Sequence, residues 1–198
     1  MPLDIFLALV VFSAVMAFTP GPNNIMLATS GVNFGFSPTI PHMAGVTIGF
    51  AILLSVCATG LGLILATAPS AQLALKIAGA LYMLFLAYKV ATAHGGSDEE
   101  DGLARPFTFL QAAAFQWINP KAVIAAFSAV AIYLRPGHER GDFAVMLAVL
   151  TIFTALAVLT WTGFGVGLQR LLQNPRHARI FNVSMGFLLV ASILPMVH

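Results

Sequence analysis

Apolar residues fill this chain in long blocks, separated by short polar or Gly/Pro-rich stretches. A helix that crosses a bilayer needs about 20 mostly apolar residues. Six blocks reach or approach that length: residues 3–29, 42–66, 72–92, 107–134, 143–168 and 180–197. Residues 31–41, rich in Gly, Asn, Ser and Pro, read as a loop between the first two blocks. Residues 135–142 read as a charged turn, and residues 169–179 as a basic connection with Arg170, Arg176 and Arg179. One truly polar linker, with Gly95-Gly96-Ser97 and then Asp98-Glu99-Glu100-Asp101, divides the chain nearly in half. The organisation predicted is a first three-helix repeat over 1–97, an acidic cytoplasmic linker over 98–106 and a second three-helix repeat over 107–198.

Two of the blocks are interrupted. The stretch Thr19-Pro20-Gly21-Pro22-Asn23-Asn24 lies inside the first, and Asn119-Pro120-Lys121 lies in the middle of the fourth. Each proline removes a backbone donor and clashes with the preceding turn. The residue before it is pushed towards an extended conformation. The backbone must therefore break at membrane depth, which is tolerated where it is buried in protein or lines a cavity. The breaks occupy matching positions in two halves of three spans each, so the second half enters with opposite orientation. Paired interruptions of this kind point to the binding site of an inverted-repeat transporter. A tolerated proline kink is the bland alternative, but it gives no reason for a second, polar break in the other half. The fold class predicted is an all-α integral membrane protein, with six transmembrane helices arranged as two inverted three-helix repeats, each beginning with a broken helix.

Composition narrows the function. Of the 198 residues, 59% are hydrophobic and 8% charged, against about 25% charged in a soluble domain. The formal net charge of +2 is small and scattered, so nucleic acid is not an expected partner. Cys57 is the single cysteine, which excludes an internal disulfide, a CxxC pair and a cysteine-rich metal site. No cofactor is implied. The first charge is Asp4, and without a cationic stretch before the first block a cleaved signal peptide is not expected. Lys89, Arg105, Arg170, Arg176 and Arg179 fall on one side of the six spans, and Arg135 and Arg140, with Lys76, on the other. The positive-inside rule then puts the first group in the cytoplasm and both termini outside.

The chemistry sits at the breaks. Lys121 is the ionisable residue nearest the middle of a span, where a lysine costs about 2.5–3.5 kcal/mol on insertion scales. Asn119-Pro120 reads as an N-cap followed by proline at the first helical position. Lys121 then stands in the first turn, beside the positive end of the helix dipole. An anion should compensate, yet no Asp or Glu lies within a span, and a ligand carboxylate would serve. At the first break, the amides near Asn23 and Asn24 are placed to bind an anion. Substrate-binding candidates are Pro20, Gly21, Pro22, Asn23, Asn24, Gln116, Asn119, Pro120 and Lys121. Trp117 and Tyr82 could face the cavity but are more often packing residues, and His42 reads as an interface histidine. Gly45 with Gly49, and the Gly163-Phe164-Gly165-Val166-Gly167 run, fit small-residue helix packing.

These residues resemble the lysine exporter (LysE/RhtB) family of bacterial amino-acid efflux proteins. The resemblance rests on Phe18-Thr19-Pro20-Gly21-Pro22-Asn23-Asn24, Gly35-Phe36, Ala44-Gly45 with Gly49-Phe50, Ala78-Gly79-Ala80-Leu81-Tyr82, and Phe115-Gln116-Trp117-Ile118-Asn119-Pro120-Lys121. It covers nearly the whole chain and looks most like the cysteine and O-acetylserine exporter branch. What it implies is export of amino acids driven by the proton motive force. One departure bears on the substrate: exporters of basic amino acids are expected to carry an Asp shortly after the second break, where this chain has Ala122-Val123-Ile124-Ala125-Ala126.

The reading is a secondary exporter of small neutral amino acids, of the cysteine/O-acetylserine or threonine/homoserine type, multi-pass in the bacterial cytoplasmic membrane. Its partners are an amino-acid substrate and the lipid bilayer, with a homo-oligomer allowed. An intramembrane enzyme or redox protein lacks paired carboxylates, a His/Asp cluster and a second cysteine. A non-transporting scaffold would leave Lys121 and the doubled breaks without a reason.

Overall fold

The computed structural model describes residues 1–60, 69–92 and 105–192. The chain is all-α over these residues. Its helices are α1 (Leu3–Phe18), α2 (Pro22–Phe34), α3 (Phe36–Ala58), α4 (Pro69–Ala91), α5 (Phe109–Phe115), α6 (Pro120–Tyr133), α7 (Glu139–Leu168) and α8 (Pro175–Ala191), with a 3-10 turn at Leu171–Gln173. The end of the second predicted block at Ala66, that of the sixth at Val197, and residues 98–104 of the acidic linker with its 97/98 boundary lie outside the described residues.

Both predicted breaks are present. Thr19, forced extended by the proline after it, ends α1 with ψ 140°. Gly21 is extended, and Pro22 opens α2 at a position where a helix needs no N–H. The two helices meet at 52°. In the second half Asn119 is extended, Pro120 opens α6, and α5 and α6 meet at 62°. A Thr108–Gln111 capping box starts α5, with the Thr108 side chain accepting from the Gln111 amide and the Gln111 side chain from the Thr108 amide.

The expected loop at 31–41 is instead two helices joined by one residue. Gly35, at φ +86°, turns the chain between α2 and α3. A glycine adopts that left-handed backbone without steric cost. Pro38 then falls in the first turn of α3, where no backbone donor is required. Of the polar residues in that stretch, Thr39 is packed inside, its hydroxyl 2.9 Å from that of the buried Ser30, while Ser37 stays exposed. In the same way α7 starts at Glu139 rather than 143, so Asp142 belongs to its first turn.

α7, 30 residues long, is the central element. α1, α2 and α3 pack on it, α3 also packs on α5 and α6, and α4 packs on α8. Most of the packing thus joins the first half to the second. Small residues set the closest approaches. A Cβ on Gly49 would come 2.6 Å from the Cα of Ala113, and one on Gly165 would strike the carbonyl of Ala28. A Cβ on Gly163 or Gly167 would meet nothing among the described residues, so of that predicted glycine stripe it is Gly165 that makes a close contact there.

Two apolar cores flank the breaks. One gathers Leu27, Met43, Leu86, Phe115 and Leu189. The other gathers Leu9, Phe50, Leu54, Tyr133 and Met146. The outside is apolar too: Leu3, Leu7, Val11 and Val15 form an exposed stripe along α1, and Ile180 and Phe187 are exposed on α8. A helix apolar on its outer as well as its inner face belongs in lipid. Among the described residues, α3 and α7 are each long and apolar enough to cross a membrane, and there are four such spans when each bent pair counts as one.

Candidate functional site

The two breaks meet. Gly21, Asn23 and Asn24 from the first, and Gln116, Asn119 and Lys121 from the second, line one cleft between α1, α3 and α7. The cleft is partly open, and the cavity inside it measures about 60 Å³, small beside the roughly 300–1,000 Å³ of drug-sized ligand sites. Its other walls are largely apolar, among them Met16, Val46, Phe50, Leu150 and Val158.

The side-chain amides tie the halves together. Asn23 Nδ2 donates to Gln116 Oε1 at 2.8 Å, and Gln116 Nε2 donates back to Asn23 Oδ1 at 3.3 Å and to the Ala112 carbonyl at 2.8 Å. Asn24 Nδ2 donates to the carbonyls of Ala17 (2.8 Å) and Thr19 (2.9 Å), holding the end of α1 against the start of α2. Asn119 Oδ1 caps α6 by accepting from the Lys121 amide at 3.2 Å. These amides are therefore engaged with the protein, where the sequence suggested that they face the ligand directly. The first amide of α2 with a backbone partner is that of Ile25, which donates to the Gly21 carbonyl at 2.9 Å. The start of α2 keeps its donors, as the first turn of a helix does, and such donors suit an anion.

Lys121 crosses from the second break to the first. Its ammonium donates to the carbonyl of Thr19 and, at 2.8 Å, to Thr19 Oγ1. Its stem lies over Gly21: a Cβ there would come 2.7 Å from Lys121 Cδ. The compensating charge sought in the sequence is supplied in part by the chain, because the C-terminal end of α1 carries the negative end of its dipole. No Asp or Glu is among the described residues that line the cleft.

Of the nine predicted residues, Pro20, Pro22 and Pro120 shape the breaks without lining the cleft, and Pro20 is exposed. Trp117 and Tyr82 stay outside it; Tyr82 packs on Phe115 with ring centroids 5.7 Å apart. His42 is not at an interface. It is 2% exposed, lies 5.3 Å from the ring of Phe107, and neither ring nitrogen has a hydrogen-bond partner among the described residues. Ser13 on α1 and Thr154 on α7 line the cleft and were missed. A lone hydroxyl in an apolar span usually bonds the preceding turn, as Ser13 does to the Leu9 carbonyl at 2.7 Å, so nothing in the sequence separates them from packing residues.

The model of one family, the LysE type translocators, matches residues 14–192, a range that holds both breaks and all the polar residues of the cleft except Ser13. The chain belongs to the LysE type translocators. It is accordingly a membrane translocator rather than an enzyme, multi-pass in the bacterial inner membrane. Among its relatives, the cysteine/O-acetylserine efflux proteins of Escherichia coli (strain K12) and Shigella sonnei (strain Ss046) are each 32% identical over 182 residues, covering 90% of both chains. No solved structure matches the chain.

Proposed function

We propose that this translocator exports small neutral amino acids, driven by the proton motive force, through six spans built as two inverted repeats. The relatives named for cysteine and O-acetylserine efflux support the substrate class. The packing supports the repeat. If α1, α2, α3 and α4 correspond to α5, α6, α7 and α8, then α3 with α7 and α4 with α8 are self-related pairs. The α2–α7 and α3–α5 contacts then have their counterparts in α3–α6 and α1–α7.

The observation that carries the substrate reading is the charge inventory of the cleft: among the described lining residues, one cation, Lys121, and no carboxylate. A substrate with one carboxylate and one ammonium suits it. Lys121 and the start of α2 receive the carboxylate, in a site formed by Gly21, Asn23, Asn24, Gln116, Asn119 and Lys121 and shaped by Pro20, Pro22 and Pro120. A second positive charge on the substrate would be left unpaired among apolar walls, at a cost of several kcal/mol. Purified protein in vesicles, loaded with labelled amino acids and tested with and without a pH gradient, decides the matter. Cysteine, O-acetylserine, threonine or homoserine should leave the vesicles faster under the gradient, while lysine and arginine should be retained. Lys121→Met should abolish transport without loss of fold. Arginine export at the rate of the neutral amino acids, or normal transport by Lys121→Met, overturns the reading.

A further inference from the structure

We infer that the carbonyl and hydroxyl of Thr19, at the C-terminal end of α1, form the subsite for a ligand's primary ammonium group, and that the Lys121 ammonium sits there as an intramolecular stand-in with which the ligand's ammonium exchanges. The inference rests on the amino-acid reading given above and adds to it the place and chemistry of the amino end.

The subsite is built from acceptors. The break at Pro20 leaves the Thr19 carbonyl outside the backbone ladder, and it receives donors from side chains only, Asn24 Nδ2 and Lys121 Nζ. Thr19 Oγ1 donates its own proton to the Val15 carbonyl at 2.7 Å, so it meets Lys121 Nζ as an acceptor. Asn24 clamps the Ala17 and Thr19 carbonyls from behind, which fixes their direction. Two oxygens fixed at the negative end of a helix, beside a break in a membrane protein, are the elements of a cation site. The group already bound there is a primary alkylammonium with its carbon stem in the cleft, the same chemistry as the amino end of an amino acid.

Thr19 is exposed and stands beside the cleft-lining residues Ala17 and Gly21, and exchange there explains how the site recognises a zwitterion. When a ligand ammonium takes the Thr19 oxygens, Lys121 Nζ is released within a side chain's length, where it meets the ligand carboxylate. A simple amine would displace Lys121 and leave two cations facing each other. A simple acid would draw Lys121 away and leave the Thr19 oxygens without a donor. Only a molecule carrying both groups satisfies both ends.

The test is a gain of function. Full-length protein in detergent is titrated with ethanolamine, an ammonium without a carboxylate, by calorimetry and by thermal shift. Wild type should bind it poorly, and Lys121→Met, with the stand-in removed, at least tenfold more tightly. Adding Thr19→Val to Lys121→Met should reverse the gain. A Lys121→Met protein with wild-type melting and elution but no gained affinity for ethanolamine overturns the inference. If Lys121→Met does not fold, Thr19→Val alone decides. It keeps Lys121 and should raise the KM or Kd for the transported amino acid about tenfold with little change in kcat; an unchanged value overturns the subsite. The binding readout needs no transport. Gained ethanolamine binding in a protein that exports no amino acid would keep the subsite and remove the exporter reading, whereas export by wild type without the gain would remove the subsite alone.

Discussion

Gly21 is the residue on which the meeting of the breaks depends. Its φ of −168° is open to any residue, so what it contributes is space, not conformation. Replacing it with alanine puts a methyl 2.7 Å from Lys121 Cδ and 3.2 Å from Nζ. A flexible lysine end can move aside, so Gly21→Ala should fold and melt like wild type. Lys121 would lose its line to Thr19, and transport should fall at least about tenfold, equivalent to about 1.4 kcal/mol of transition-state stabilisation. Efflux equal to wild type would show that the lysine does not need this path. At this scale the sequence was legible where a residue is out of place chemically. Lys121 stands in a span without an acid, and that conflict points to a site. The pairing of Asn23 with Gln116, 93 positions apart, was not legible, because an amide's partner depends on how the halves dock. His42 was misread for the same reason: only the docked neighbours reveal that α3 buries the ring against Phe107.

At the scale of elements, the breaks are local chemistry and were read correctly, while the junction between α2 and α3 was not. Proline and glycine punctuate either a loop or a turn between helices, and here a single residue, Gly35, suffices. Replacing Pro20-Gly21-Pro22 with three alanines should restore helix hydrogen bonds through the break and remove the 52° bend between α1 and α2. The product should insert well and show equal or higher helicity by circular dichroism. Its efflux should fall to background, because the donors at the start of α2 and the acceptors of Thr19 would enter the ladder together; normal efflux would detach function from the break. A different element tests packing alone. Gly49 meets the Ala113 backbone, which cannot move aside as a side chain can. Gly49→Val should lower the melting temperature, in line with the 1–3 kcal/mol or so that overpacking typically costs. A melting curve matching wild type would mean that α3 and α5 can separate without cost.

At the scale of the whole molecule, the arginines near the membrane ends set which way the cleft faces. The turn between α6 and α7 carries Arg135, and Arg140 follows in the first turn of α7; Arg135 is already paired, its Nε 2.6 Å and Nη2 2.8 Å from the carboxylate of the buried Asp142. The connection between α7 and α8 carries Arg170, and Arg176 and Arg179 follow in the first two turns of α8, each of them exposed; the basic connection expected over 169–179 therefore ends at Asn174, which caps α8. The positive-inside rule weighs Lys and Arg in short connections near the membrane ends, so the α7–α8 end should be cytoplasmic and the α6–α7 turn should face out. Cys57 is the single cysteine of the chain and is buried, which makes labelling direct. In a Cys57→Ser background, a cysteine replacing the exposed His138 should react with an impermeant maleimide in intact cells. One replacing the exposed Asn174 should react only after the membrane is opened. The opposite pattern would place both termini in the cytoplasm and turn the cleft to the other face. Equal labelling of both sites in intact cells would indicate a protein inserted in two orientations, with the arginine asymmetry too weak to choose between them.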